Sequence, residues 1–140
     1  MIRRHKYGAK PATDRTGTRS FQSQLERDRY EELHLLELAG GIRGLVTQPR
    51  VELLPGIGMR PDFAYEEGGR LVFDEAKGVE TAVWRLQCRL WAHFGPGVLR
   101  VVKRQGRGTV VVKEIAGSGQ PTQDVRLASP CAGSSRRTKS

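Results

Sequence analysis

The chain of 140 residues lacks the long apolar run that a membrane span or a secretory leader requires. No segment approaches the roughly 18 consecutive apolar residues of a spanning helix. The basic start, MIRRHKYGAK, is not followed by an apolar stretch, as it would be in a signal peptide. The sequence therefore predicts a cytoplasmic protein that does not enter a membrane.

Cysteine and histidine are also scarce. The two cysteines, Cys88 and Cys131, show neither CxxC spacing nor the spacing of metal ligands, and the three histidines are scattered. Such a pattern is typical of ordinary thiols in a reducing compartment. We therefore expect no site built from thiolates or imidazoles.

Acidic residues are few at the two ends of the chain. The net charge of the whole chain is +9. Residues 1–20 contain six Lys and Arg and one acid, and residues 117–140 contain four and one. Residues 85–113 contain seven cations and no acid. Such concentrations neutralise phosphates along a nucleic acid, so Arg85 and Arg89, four residues apart, are predicted to contact DNA. The alternative is that these charges only form a solvated surface.

Breaker residues and hydrophobic periodicity divide the chain into three parts. We predict a flexible basic arm at residues 1–19, one domain at residues 20–116 and a disordered basic tail at residues 117–140. Within the domain the order is helix, strands, helix, strand, strand, which predicts an α/β fold with a mixed sheet flanked by helices.

Two amphipathic helices are predicted. The first begins around Ser20 to Ser23, with Ser23 or Ser20 as the N-cap, and ends at Gly40-Gly41. The second runs from about Thr81 to Phe94. The apolar stripe of the first contains Phe21, Leu25, Leu33, Leu36 and Ala39. That of the second contains Val83, Leu86, Leu90 and Phe94 beside Trp84, Cys88 and Trp91, with both tryptophans expected in the core.

Residues 60–78 between the helices combine carboxylates with an amine. A Gly-containing turn between two extended segments predicts a β-hairpin, and alternation places Glu75 and Lys77 on one face. If Asp62 faces them from the neighbouring strand, two carboxylates and the Ala76 carbonyl offer the oxygen ligands that Mg²⁺ and Mn²⁺ prefer. A metal with a nearby lysine is suited to phosphodiester hydrolysis.

The pattern Pro61-Asp62 followed by Glu75-Ala76-Lys77 resembles the PD-(D/E)XK nuclease superfamily. Other motifs extend the resemblance over roughly residues 6–94. They are KYGAK at Lys6 to Lys10, Phe21 with Ser23 and Glu26 before Tyr30 to Leu33, Gly41-Ile42, LVTQPRVEL at Leu45 to Leu53, Asp62-Phe63, and Lys77-Gly78 before Thr81. In this order they resemble a family of small phage-encoded PD-(D/E)XK proteins of unknown function, related to Holliday-junction resolvases.

The resemblance implies an αβββαβ core and a catalytic set. Asp62 and Glu75 would be metal ligands and Lys77 the catalytic lysine. Glu26 would complete the metal site from the first helix, through water, and Gln48 would be a polar residue near the substrate. This chain departs from many relatives in placing Asp74 directly before Glu75. Strand alternation favours Glu75 as the ligand, because it shares a face with Lys77.

The implied activity is Mg²⁺- or Mn²⁺-dependent cleavage of branched or duplex DNA by a phage or prophage protein in its bacterial host. A junction resolvase makes paired cuts, so that version predicts a symmetric homodimer. Two alternatives stay open. One is a non-catalytic DNA-binding module with a nuclease-like fold, and the other is a nuclease subunit of a larger restriction or transposition complex.

Overall fold

The computed structural model describes residues 12–13 and 20–119. Strand β1 (Ala12–Thr13) pairs antiparallel with β2 (Ser20–Phe21) just before helix α1 (Gln24–Leu38). Most of the predicted arm, the tail from residue 120 and the KYGAK motif lie outside the described residues, so the predicted domain limits stay predictions.

Helix α1 is delimited by side-chain and backbone caps. The Ser23 hydroxyl accepts a hydrogen bond from the Glu26 N–H at 3.1 Å, as expected of an N-cap serine. At the other end Gly40 has φ +82°, and the Gly41 N–H donates to the Leu36 carbonyl at 2.9 Å. This closure, in which glycine tolerates the left-handed conformation, is a Schellman motif.

Seven further strands and one helix follow α1 in the described part of the chain. They are β3 (Arg43–Thr47), β4 (Val51–Leu54), β5 (Ile57–Met59), β6 (Phe63–Glu67), β7 (Arg70–Ala76), α2 (Ala82–Phe94), β8 (Val98–Gln105) and β9 (Gly108–Ala116). Neither described helix has the length and apolar character needed to traverse a lipid bilayer.

The main sheet has the order β3-β6-β7-β8-β9. All neighbours are antiparallel except β7 and β8, which α2 connects, because parallel strands need a crossover. The β4–β5 hairpin pairs separately. The predicted α/β fold with a mixed sheet and two helices is confirmed at this level. The β1–β2 pair and β5, which are short, were not predicted.

The β6–β7 hairpin is the central part of the sheet. Gly68 and Gly69 have φ +57° and +77°, the two positive values of a type I′ turn, whose twist matches that of paired strands. The register runs from Glu67 opposite Arg70 to Phe63 opposite Asp74. A two-residue turn therefore fixes which residues face each other at the far end of the hairpin.

Hydrophobic clusters cover both faces of the sheet. On one face, residues from α1 pack with alternate residues of β6 and β7, namely Tyr30, Leu33, Phe63, Tyr65 and Val72. On the other face, α2 and the β4–β5 hairpin contribute Trp84, Cys88, Trp91, Val51, Leu53 and Met59, which pack with Ala64, Phe73, Leu99 and Val101. The expectation that both tryptophans belong to the core is confirmed.

The predicted helix stripes are wrong in part. Leu36 and Ala39 of the first stripe are exposed, and the buried residues of α1 are Glu26, Arg29, Tyr30 and Leu33. On α2, Val83, Leu86 and Phe94 are exposed, whereas Trp84, Cys88 and Trp91 are buried. On each helix, apolar residues extend over a wider arc than the arc that is buried. Periodicity alone therefore did not determine which side of the helix faces the sheet.

Candidate functional site

Asp62 and Glu75 lie at the open end of the β6–β7 hairpin. The last pair of the hairpin register is Phe63 opposite Asp74, and alternation places Asp62 and Glu75 on the face of Ala64 and Phe73, which pack against α2. The Asp62 N–H donates to the Asp74 carbonyl at 3.0 Å, and its carboxylate Oδ2 accepts from the Ala76 N–H at 2.8 Å. The hairpin therefore holds both carboxylates on the α2 side of the sheet.

Lys77 lies beside Glu75. Its Nζ is 4.0 Å from the Glu75 Oε1 and 4.9 Å from the centroid of the Trp84 ring. The other oxygen, Glu75 Oε2, is buried and has no hydrogen-bond partner among the described residues. An unsatisfied buried carboxylate oxygen is rare and costly, so Glu75 has an open position for a donor or a cation.

Burial and mutual repulsion disturb the titration of these acids. Burial raises the pKa of Asp62 well above its ordinary value, and the negative charges of Glu75 and Glu26 raise it further. Burial also raises the pKa of Glu75 to about 7, although the positive charge of Lys77 opposes this. Partly buried carboxylates that repel one another favour binding of either protons or a cation.

Glu26 enters the same site from the first turn of α1. Its carboxylate accepts from the Gln22 N–H at 3.3 Å, while its own N–H is bound by Ser23. Burial raises the pKa of Glu26, and hydrogen bonds from Gln22 and the Gln48 side chain lower it. Glu26 thus stabilises the start of the helix and also adds a third negative charge near Asp62.

Gln48 connects two of these acids. Its N–H donates to the Asp62 carbonyl at 2.7 Å, and its side chain lowers the pKa of Glu26. Its φ of +49° lies in the left-handed region, which is uncommon for a residue other than glycine. The predicted accessory residue is therefore held beside the carboxylates in a sparsely populated backbone conformation.

Asp74 lies on the opposite face from Glu75. It is fully buried, and it accepts hydrogen bonds from the Arg29 Nε at 2.7 Å and the Tyr65 hydroxyl at 2.8 Å. Burial raises the pKa of Asp74, and the neighbouring Arg29 counteracts this. Sequence reasoning missed Arg29. The only available signal was its position three residues after Glu26, on the same side of α1.

Arg85 and Arg89 are exposed on α2 and line a groove of ≈ 330 Å³ between α2 and β9. They are not part of the carboxylate cluster. The groove also contains Trp84, which is in contact with Lys77, and Lys113 from β9. Lys113 was not singled out from the sequence, because only strand pairing brings β9 next to the second helix.

The donor set fits a divalent ion held by few protein ligands. Among residues 12–13 and 20–119, no group of three or more His, Cys, Asp and Glu side chains has the arrangement of a metal site. Mg²⁺ is often held by only one or two carboxylates and keeps several waters. Asp62, Glu75 and the Ala76 carbonyl fit that requirement, as the unpartnered Glu75 Oε2 indicates, with Glu26 close enough to act through water.

Comparisons with known proteins assign no family to this chain. No family model, curated protein or solved structure matches it. The geometry and charges of Glu26, Asp62, Glu75 and Lys77, called the carboxylate cluster, are therefore the features that bear on its function.

Proposed function

We propose that this protein is a Mg²⁺- or Mn²⁺-dependent DNA endonuclease with a PD-(D/E)XK site. The observation that supports it most is the proximity of Asp62 and Glu75, whose negative charge raises the pKa of Asp62, with Lys77 4.0 Å from Glu75. Burial and repulsion raise the pKa of both carboxyl groups, which is typical of functional sites. The proposal includes a phage or prophage origin and action in the bacterial cytoplasm.

The order of elements supports the same proposal. Helix α1, strands β3, β6 and β7, helix α2 and strand β8 follow the αβββαβ order of a PD-(D/E)XK core, with β4–β5 as an inserted hairpin and β9 as an added edge. The carboxylates lie where the antiparallel hairpin meets the parallel strand β8. Glu75 lies near the end of β7, and Asp62 and Lys77 directly flank β6 and β7, which is compatible with the proposed motif.

Each residue has a distinct role in the proposed site. Asp62, Glu75 and the Ala76 carbonyl would hold the ion, which when bound neutralises phosphate charge and lowers the pKa of a bound water. Lys77, within 4.0 Å of Glu75, donates hydrogen bonds to the attacking water or to a phosphate oxygen. Gln48 holds Glu26 in position over the cluster.

The substrate we propose is DNA, as branched or duplex molecules. The net charge of +9 favours a polyanion, and the positive charges of Arg85 and Arg89 lie on the side of the sheet that carries Asp62 and Glu75. Cutting of a four-way junction requires two sites, so the resolvase version of the proposal includes a symmetric homodimer.

The test offers labelled four-way junction, flap, linear duplex and single-stranded DNA with Mg²⁺ or Mn²⁺. We expect cleavage of at least one substrate, and a loss of 10²-fold or more in rate, on the order expected of a catalytic group, for Lys77→Ala and Asp62→Asn. Arg70→Gln is the matched control, because Arg70 is exposed at the opposite end of the hairpin. Cleavage by none of the proteins, or equal cleavage by wild type and Lys77→Ala, contradicts the proposal.

A metal titration separates the enzyme from a DNA-binding module that does not cut. A pure binder shows salt-dependent DNA affinity without Mn²⁺ binding that depends on Asp62 and Glu75. The enzyme shows both. Co-purification with a second protein would identify the alternative of a subunit in a larger complex.

A further inference from the structure

The groove between α2 and β9 combines cations with an apolar floor. Arg85 and Arg89 line it from the helix and Lys113 from the strand, above Trp84 and Cys88, and Glu80 contributes a single carboxylate at its side. All three cations and Glu80 are exposed. The groove therefore has a net positive charge and is open to solvent.

The groove cations have no anionic partner among the described residues. None of the ion pairs found there includes Arg85, Arg89 or Lys113. By contrast, Arg100 binds two glutamates and Arg104 binds an aspartate. The seven cations of residues 85–113 are thus not equivalent, because those two are neutralised within the protein.

Strand register connects the groove to the carboxylate cluster. Glu75 of β7 lies opposite Val101 of β8, which lies opposite Lys113 of β9. Opposed residues share a face, and neighbouring strands are about 4.8 Å apart. Lys113 therefore projects from the same face as Glu75, roughly 10 Å away.

The helix provides a second connection. Trp84 forms part of the groove, and the same ring lies 4.9 Å from the Lys77 Nζ. The Trp84 ring, which is buried beneath the groove cations, therefore also contacts Lys77 of the carboxylate cluster.

We propose that this groove, formed by Arg85, Arg89, Lys113 and Trp84, binds the sugar-phosphate backbone of DNA that enters the carboxylate cluster. The inference rests on the proposed function and names the surface that holds the substrate. Because Lys113 projects from the same face as Glu75 roughly 10 Å away, it contacts a phosphate near the cleaved bond and not the cleaved phosphate itself. The contacts are to phosphate and carry no sequence preference.

The experiment measures binding of a fluorescent DNA duplex in EDTA, where cutting is prevented, across a series of salt concentrations. Removing one cation that binds a phosphate lowers the slope of log K against log salt by about 1. We expect a decrease of about 1 for Lys113→Gln and about 3 for Arg85→Gln/Arg89→Gln/Lys113→Gln. Thermal denaturation verifies that the variants are folded.

Arg43→Gln/Arg70→Gln is the control, because both arginines are exposed at the end of the sheet opposite Asp62. Its slope should equal that of wild type. Equal slopes for wild type and the triple variant, an equal decrease per charge in the control, or no duplex binding by the wild type overturns the inference.

Cleavage of the same duplex with Mn²⁺ distinguishes this failure from failure of the enzyme. If the wild type cleaves the duplex and the triple variant has the same salt slope as the wild type, the groove proposal is rejected and the nuclease proposal is retained. A lower slope in the triple variant with no cleavage by any protein retains the groove and rejects the nuclease.

Discussion

Glu75 is the residue whose surroundings are least satisfied. Its Oε2 is buried without a partner in the described chain, and burial raises the pKa of its carboxyl group to about 7. An unfolded glutamate titrates near about 4.3. The folded protein therefore binds a proton more tightly than the unfolded chain does, and ionisation of Glu75 costs stability when no cation is present.

Glu75→Gln is expected to make the metal-free protein more stable relative to wild type as pH rises. Wild type loses stability between the unfolded pKa near about 4.3 and the folded value, and the uncharged amide does not. The difference in unfolding free energy should change by about 3 kcal/mol from pH 4.5 to pH 8. Urea denaturation in EDTA measures it. A difference that stays constant with pH would show that the Glu75 carboxyl group titrates normally.

Divalent ions should offset the loss of stability that ionisation of Glu75 causes. Mn²⁺ at about 100 times its Kd is expected to stabilise the wild type by about 2.7 kcal/mol. At a fixed Mn²⁺ concentration the stabilisation should be larger at pH 8 than at pH 6, because the ligands must be deprotonated. Asp62→Asn should abolish the effect and EDTA should remove it. Glu66→Gln, at the opposite end of the hairpin, is the control. Thermal denaturation provides the measurement, and equal stabilisation of wild type and Asp62→Asn contradicts the proposed ligand.

At the scale of elements, a buried ion pair connects the helix and the strand that carry the candidate site. Arg29 lies one turn after Glu26 on α1, and Asp74 directly precedes Glu75 on β7. Their side chains meet at 2.7 Å, with exposed fractions of 10% and 0%. The pair therefore fixes the position of Glu26 relative to Glu75, although neither of its members faces the carboxylate cluster.

Replacing only one member of the Arg29–Asp74 pair is expected to lower the free energy of unfolding more than replacing both. Arg29→Met removes the cation that is bonded to the buried Asp74 and leaves it the Tyr65 hydroxyl as a donor, and removal of one partner of a buried pair costs about 3–5 kcal/mol. Arg29→Met/Asp74→Asn should be more stable than Arg29→Met, because no orphan charge stays in the core. Urea denaturation at neutral pH compares them. Additive losses in the double variant would mean that the two charges do not interact.

The end of β9 is held against α2 by close backbone contacts. The Gly117 and Gly119 N–H groups donate to the carbonyls of Gly97 and Gly95 at 2.9 and 3.0 Å. A Cβ on Gly117 would overlap the Gly95 carbonyl oxygen. Backbone hydrogen bonds therefore continue from the end of β9 through Gly119.

Gly117→Ala is expected to destabilise the protein by about 1–3 kcal/mol, the usual cost of overpacking. Gly78→Ala is the matched control, because no heavy atom lies within 4 Å of its Cβ position and its φ is not positive. Thermal or urea denaturation compares the two. Equal stability of both variants would show that the Gly95–Gly117 contact relaxes without cost.

At the scale of the whole molecule, α1 covers one face of the sheet and α2 covers the other, and the candidate site lies on the α2 side. Helix α1 still contributes Glu26, because its first turn reaches the end of the hairpin, where Glu26 acts on Asp62. Three separate segments therefore meet at one site.

The resolvase version of the proposal predicts that two copies associate. Sedimentation analysis should then give twice the mass of one chain, with or without a four-way junction. A single-chain mass in both conditions contradicts paired cutting by a homodimer, while leaving duplex cleavage by the monomer possible as an activity to be measured directly.

The sequence by itself determined the hairpin, the helix caps and the neighbourhood of Asp62, Glu75 and Lys77. These features depend on local chemistry: glycines that accept positive φ, a serine that caps a helix, and the alternation of side chains along a strand. The two-residue turn then sets the pairing of residues along the whole hairpin.

Only the tertiary structure decided which arc of each helix is buried, and which distant residues join the site. Periodicity counts Glu26 and Arg29 as polar, yet both are buried. Arg29 is buried because it forms an ion pair with Asp74 between α1 and β7. It counts Val83 and Leu86 as apolar, yet both are exposed, because the larger Trp84 and Trp91 fill the space over the sheet. Ion-pair partners and the volume available for packing depend on residues far apart in the chain, so local sequence patterns do not predict them.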